Sequence, residues 1–224
     1  EGRRDVFRLD VTQHGEAVDY AVEFFPDELR LVASDGRVRL CMSAAETLRI
    51  RAEGAGLRLS MRAGLSVGEY RLAGDRWRLN AGGALRDYTV ERLGGGLDLQ
   101  RAAIDGQEYV VVDVAPGADG SAEAVLVQSK GQPCLPDSRP DYEEVRQQVA
   151  DEFDRFHRAN ADVPAPLQEA ARVASYINWS SVLAPCAHVT RPGMVMSKKW
   201  MGNIWSWDHC FNAMALAEAM PELA

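Results

Sequence analysis

The chain has 224 residues, 46% hydrophobic and 26% charged, with a formal net charge of −8 and a pI near 5.1. That is the balance of an ordinary globular protein with room for one large domain or one and a half. The acidic excess argues against nucleic acid or an anionic membrane as partner, and no apolar run approaches the roughly 20 residues that a membrane helix needs. The four cysteines, Cys41, Cys134, Cys186 and Cys210, are far apart and form no Cys-x-x-Cys pair. No zinc or redox motif follows from them, no cofactor or metal is expected, and scattered free thiols suit a reducing, cytoplasmic setting.

Up to about residue 130 the chain reads as β. Apolar residues alternate with polar ones over residues 20–24, 29–32, 37–42, 47–51, 57–62, 77–79, 88–90, 109–114 and 124–127, so each run has a buried and a wet face. Asp35-Gly36, Ala63-Gly64, Gly94-Gly95-Gly96 and the loop Pro116–Ser121 supply turns. Many short strands without intervening helices predict an antiparallel β-sandwich. The alternating arginines are expected on its solvent face, with no ligand.

Residues 131–140 are rich in Pro and polar side chains and mark a boundary. The next stretch, 141–157, sets Val145, Val149, Phe153 and Phe156 on one helical face, with acidic residues opposite. Pro164 and Pro166 introduce a second helix from Leu167 to about Trp179. The expected organisation is a sandwich over 1–135, a linker with a helix over 136–165, and a helical domain from 166 to 224. Residues 184–204 form a long connection with Pro185, Pro192 and Gly193, and loops of that length are often functional. The last helix, from Asp208 to Met220, is apolar nearly all round, as befits a helix enclosed by others.

That connection leads into Trp205-Ser206-Trp207-Asp208-His209-Cys210-Phe211-Asn212. Three of the five tryptophans of the chain, Trp200, Trp205 and Trp207, fall within eight positions. A flat aromatic face is a good platform for the C–H face of a sugar ring. A carboxylic acid desolvated by such rings holds its proton more tightly, as a general acid must near neutral pH, whereas the positive end of a helix acts the other way. The residues therefore suit a proton donor, Asp208, in a sugar-sized aromatic pocket with Trp205 and Trp207 as platforms. Asn212, one turn on, is placed to bond Asp208 or substrate, and Trp200, Lys198 and Lys199 stand on the approach. The same residues also suit a structural role, with the rings in a core and Asp208 capping the helix, and chemistry alone leaves both open. His209 is expected as a hydrogen-bond partner rather than a catalyst.

Asn178-Trp179, Pro192-Gly193, Ser197-Lys198-Lys199-Trp200-Met201 and Trp205–Ala213 resemble the opening of an (α/α)6-barrel glycoside hydrolase. The match is closest to glycoside hydrolase family 63 and its mannosylglycerate-hydrolase-like and processing-glucosidase-like relatives, in the clan that also holds the family 37 trehalases. The resemblance covers about the last quarter of the chain. It implies an N-terminal sandwich, a linker helix and the first helices of an (α/α)6 barrel. It also implies inverting hydrolysis of an α-linked glucoside or mannoside, with Asp208 as general acid and an oligosaccharide or small glycoside as substrate. Inversion needs two carboxyl groups roughly 6.5–9.5 Å apart. Glu218 would lie about 15 Å from Asp208 along the same helix, too far to be the base. In the family the base is a Glu far downstream. The chain is thus expected to be a fragment, inactive alone, whose partner is the remaining C-terminal barrel segment. The alternative is a non-catalytic carbohydrate-binding or structural module.

Overall fold

The computed structural model describes residues 6–63, 67–72, 75–81, 87–129, 140–160, 163–185, 190–196 and 204–223. The chain forms two compact units, Glu1–Arg146 and Gln147–Ala224. The strands of the first are β1 (Arg8–Gln13), β2 (Glu16–Ala17), β3 (Ala21–Phe24), β4 (Leu29–Ala33), β5 (Gly36–Ala44), β6 (Thr47–Glu53) and β7 (Gly56–Arg62). They continue with β8 (Val67–Leu72), β9 (Arg76–Ala81), β10 (Asp87–Gly94), β11 (Gly96–Ile104), β12 (Gln107–Ala115) and β13 (Ser121–Ser129). Five build a sheet in the order β11-β12-β7-β1-β2, and eight build another in the order β3-β4-β5-β6-β13-β10-β9-β8. The pairings are antiparallel.

Register follows the period-2 pattern. Leu59 lies opposite Leu9 on one side and Val112 on the other, so the apolar set of three strands shares one face. That face meets Val38, Ile50, Val90 and Leu126 of the larger sheet in a single core, in which Val11, Ile50, Leu57 and Val112 are wholly buried. Each such side chain contributes about 1.5–3 kcal/mol relative to exposure. The expected antiparallel sandwich is therefore the fold of this unit. Each expected run overlaps a strand, but β1, β2, β8 and β11 go beyond the expectation. β8 and β11 are sheet edges, where fewer positions need to be apolar. At those edges the partly exposed Arg101 of β11 makes a two-pronged ion pair with Glu69 of β8, at 2.6 and 2.7 Å, linking the two sheets.

Two turns meet at Gly36 and Gly54. Gly54 has φ +67°, and a Cβ there would stand 2.4 Å from the Asp35 carbonyl oxygen. Both the conformation and the clash with backbone demand glycine. Gly54→Ala should lower the unfolding free energy by about 1–3 kcal/mol or more, read as a fall in the urea midpoint at unchanged slope.

The alternating arginines depart from the expectation of a solvent face. Arg37, Arg51 and Arg58 are partly exposed, but the Arg39 and Arg49 side chains are only 8% and 5% exposed. The reason is the first turn of the helix α1 (Tyr142–Asn160), whose Tyr142 and Val145 are buried. Arg39 Nε donates to Glu28 at 2.8 Å, Arg30 Nε to the other Glu28 oxygen at 2.6 Å, and the Tyr142 hydroxyl to Glu28 at 3.3 Å. Arg39 also holds Glu143 with both Nη atoms, and Arg146 joins Glu143 to Asp27. Arg49 holds Glu123 and the Pro140 carbonyl. Burial opposes the charge on Arg39, yet the bonds to Glu143 and Glu28 outweigh it and hold its pKa above the usual value. Cys41, 1% exposed, has its thiol pushed up to about 11 by burial and by Asp27 and Glu28, which makes it a packing residue rather than a nucleophile.

The hydrogen bond from Arg39 brings the Glu143 carboxyl down from 4.5 to about 2 against the effect of burial, with help from Arg146. The folded protein therefore binds this proton less readily than the unfolded chain, and stability rises with pH across the interval. The contribution is complete above about pH 4.5 and is lost as pH falls toward 2. Glu143→Gln should flatten that part of the acid limb in urea titrations between pH 2 and 5, leaving the remainder set by other carboxylates such as Glu53 and Glu69, which are also lowered.

In the second unit α1 continues to Asn160, then a 3-10 turn (Ala165–Leu167) opens α2 (Gln168–Trp179). Pro164 stands before the turn and Pro166 within it, where a missing N–H costs nothing. The helix expected over 141–157 is thus α1, and that expected from Leu167 is α2. Two short strands, β14 (Val182–Leu183) and β15 (Gly193–Met194), pair as a ribbon inside what the sequence reads as an irregular connection. The last helix, α3 (Ser206–Leu216), starts two residues earlier and ends four earlier than expected. Phe156, Met194 and Leu216 form the core of this unit, flanked by Trp179, Val182 and Met220. Trp179 packs on Phe153 with ring centroids 5.5 Å apart and donates to Glu152 at 3.0 Å. No helix among the described residues is long and apolar enough to cross a membrane.

Candidate active site

The motif sits at the start of α3. Trp205 is the N-cap in an extended conformation, φ −101° and ψ 125°, with no side-chain cap bond. The first helical bond runs from the His209 N–H to the Trp205 carbonyl at 2.9 Å. Asp208 therefore lies in the first turn, a position that suits an acidic side chain. It is half-buried, and among the described residues its carboxyl has no hydrogen-bond or ion-pair partner.

The helical period separates the motif into two faces. Asp208, His209, Asn212 and Ala213 are half-buried and Leu216 is fully buried. Trp207, Phe211 and Met214 lie on the other side, 74%, 55% and 72% exposed. Residues one apart do not face each other on a helix, so Trp207 diverges from Asp208 and instead meets Phe211 edge-on, with centroids 5.5 Å apart. Asn212, four residues on, shares the Asp208 face. Trp205 is 48% exposed at the helix entrance. Trp200, Lys198 and Lys199 lie outside the described residues, as do Gly64, Cys134, Cys186 and residues 131–139. The enclosure expected around the last helix is not formed by the described residues; an apolar stripe of Trp207, Phe211 and Met214 stands open.

One neighbour of Asp208 goes beyond the sequence expectation. The Met194 N–H donates to His209 Nε2 at 3.0 Å, which joins β15 to the first turn of α3. Gly193 is equally close: a Cβ there would stand 2.8 Å from Ile204 Cδ1. The apolar run Gly193-Met194-Val195-Met196 between Pro192 and Ser197 is the sequence signal for that strand. Among the described residues no group of three or more His, Cys, Asp or Glu is placed to hold a metal ion.

No protein-family model matches the sequence, and no curated protein matches it in sequence. Solved structures do match in fold. An inverting mannosidase of family GH92 from Bacteroides thetaiotaomicron superposes with a TM-score of 0.57 at 10% identity, over 88% of this chain and 33% of its own. The GH92 family glycosyl hydrolase ccman5 superposes with a TM-score of 0.56 at 9% identity, over 95% of this chain and 38% of its own. The chain thus spans about a third of the length of these structures. At such identities the likeness shows the fold alone: an antiparallel sandwich followed by the opening helices of an (α/α)6 barrel, incomplete within these residues.

Proposed function

We propose that the chain is the sandwich and first barrel helices of an inverting α-glycosidase, and that Asp208 is its general acid. The observation that carries the reading is Asp208 itself, a half-buried carboxyl in the first turn of a helix, without a partner among the described residues, in a segment that also carries the exposed Trp205 and Trp207 and in a chain whose fold resembles that of an inverting mannosidase. The acid would protonate the leaving oxygen of an α-linked glucoside or mannoside, Trp205 and Trp207 would offer stacking faces, and Asn212 would bond the acid or a sugar hydroxyl. Trp200 would line the approach. The family 63 assignment rests on the motif residues and would put the base, a Glu, downstream of residue 224. In this division residues 1–135 form the sandwich domain, 136–165 the linker and 166–224 the start of the catalytic domain, completed by the remaining barrel segment in a cytoplasmic enzyme.

The test uses the gene extended past residue 224. The product is incubated with α-linked disaccharides, trehalose and glucosyl- or mannosyl-glycerate, and the anomer first released is followed by NMR. Initial release of the β-anomer, abolished by Asp208→Asn, is the expected result. Release of the α-anomer, or full turnover in Asp208→Asn, overturns the mechanism. Binding of these sugars without hydrolysis identifies a carbohydrate-binding module instead, a role that the open faces of Trp205 and Trp207 would also serve.

A further inference from the structure

His209 follows Asp208 directly and is half-buried, and its ring meets the backbone of β15. Its Nε2 accepts the Met194 N–H at 3.0 Å. An imidazole nitrogen that accepts carries no proton, so the ring is held with its hydrogen on Nδ1. Met194 is 2% exposed and packs with Phe156 and Leu216, so the bond ends on a fixed point of the core rather than on a free loop. On the other side of the ribbon, the Val195 N–H donates to the Ser181 carbonyl at 3.0 Å, and Val182 and Leu183 pair with Met194 and Gly193. The ribbon is therefore anchored to the end of α2 and, through one side chain, to the start of α3.

The N-terminus of α3 needs such an anchor. Trp205 makes no side-chain cap bond, and the amide of residue 209 supplies the first helical bond. An uncapped first turn frays readily. From this geometry we infer that His209 is a positioning residue: by holding Met194 it fixes the first turn of α3, and with it the direction in which Asp208 points. The inference rests on the reading of Asp208 as general acid, but the tie itself is measurable without any substrate.

Three variants test it: His209→Leu, which removes the acceptor; His209→Gln, which keeps one; and Asp208→Asn. Amide hydrogen exchange is followed at Met194 and at the amide of residue 209, with turnover measured in the gene product extended past residue 224. His209→Leu should speed exchange at both amides by about tenfold, the equivalent of one ordinary hydrogen bond, while amides of the sandwich stay unchanged. His209→Gln should recover part of the protection. Turnover in His209→Leu should fall with KM nearly unchanged and be partly restored in His209→Gln, as expected when the acid is misaimed and the sugar still binds. Unchanged exchange at Met194 in His209→Leu overturns the tie. Lost protection with full turnover overturns the positioning role. If Asp208→Asn retains activity, the functional reading fails separately, positioning of a general acid falls with it, and the exchange data still decide whether the tie exists.

Discussion

Arg39→Met should lower the unfolding free energy by about 3–5 kcal/mol, the cost of leaving a buried charge without its partner. Glu28 has no exposed side-chain surface, and Arg39 is its partner from the neighbouring part of the sheet at 2.8 Å. Methionine preserves most of the arginine stem and its packing but cannot neutralise the carboxylate. Arg30 and the Tyr142 hydroxyl remain on Glu28, but Arg30 is itself one-third exposed and cannot replace a buried cation. The accompanying double variant, Arg39→Met with Glu28→Met, should recover most of the loss, since removal of both charges abolishes the desolvation penalty together with the attraction. Urea unfolding of the single and double variants reads both values. A single-variant loss below about 1 kcal/mol would mean that the pair behaves as a solvated surface bridge.

Asp208→Asn in the extended gene product should reduce turnover by about 10²–10⁴-fold on natural glycosides, the usual contribution of a positioned general acid. The amide has the carboxyl's shape but holds no transferable proton for the departing oxygen. KM should change little, since the proposed stacking on Trp205 and Trp207 would not depend on the proton. The leaving group supplies an internal control. A glycosyl fluoride or a dinitrophenyl glycoside departs without protonation, so its hydrolysis should be far less impaired than that of a disaccharide. Equal losses on both kinds of substrate would assign Asp208 to binding or folding rather than to proton transfer.

The sandwich was legible because its burial pattern is local: an alternating run such as Leu57-Arg58-Leu59 carries its own inside and outside. The fate of the arginines was not. Arg37 and Arg39 stand two apart on the same face of β5, one 51% exposed and the other 8%. What separates them is the first turn of α1, more than a hundred residues later in the sequence, and periodicity within a strand does not carry that information. At the motif, Asp208 and Asn212 on one face and Trp207 with Phe211 on another follow from the 3.6-residue period once the helix start is known. The expected start at Asp208 obscured this, since with Ser206 as the first helical residue Trp207 turns outward. The hydrogen bond from Met194 to His209 lay beyond reach because the apolar run at 193–196 can mark a short strand but names neither its partner, ten residues earlier at Val182–Leu183, nor the side chain that its amide meets.

The strand order also has a meaning in time. β6 pairs with β5 on one side and with β13 on the other. Sixty-eight positions separate Glu53 from Ser121, so at about 5–20 residues per second the ribosome leaves β6 with an unfilled edge for roughly 3–14 s. Throughout that interval Leu48, Ile50 and Ala52 lie on a strand paired on one side only, with β5. Arg49 and Arg51 sit between them on the same open strand, and charges on an edge deter the pairing of one nascent chain with another. The arginine that later binds Glu123 on the arriving strand, Arg49, thus guards the place until that strand is made.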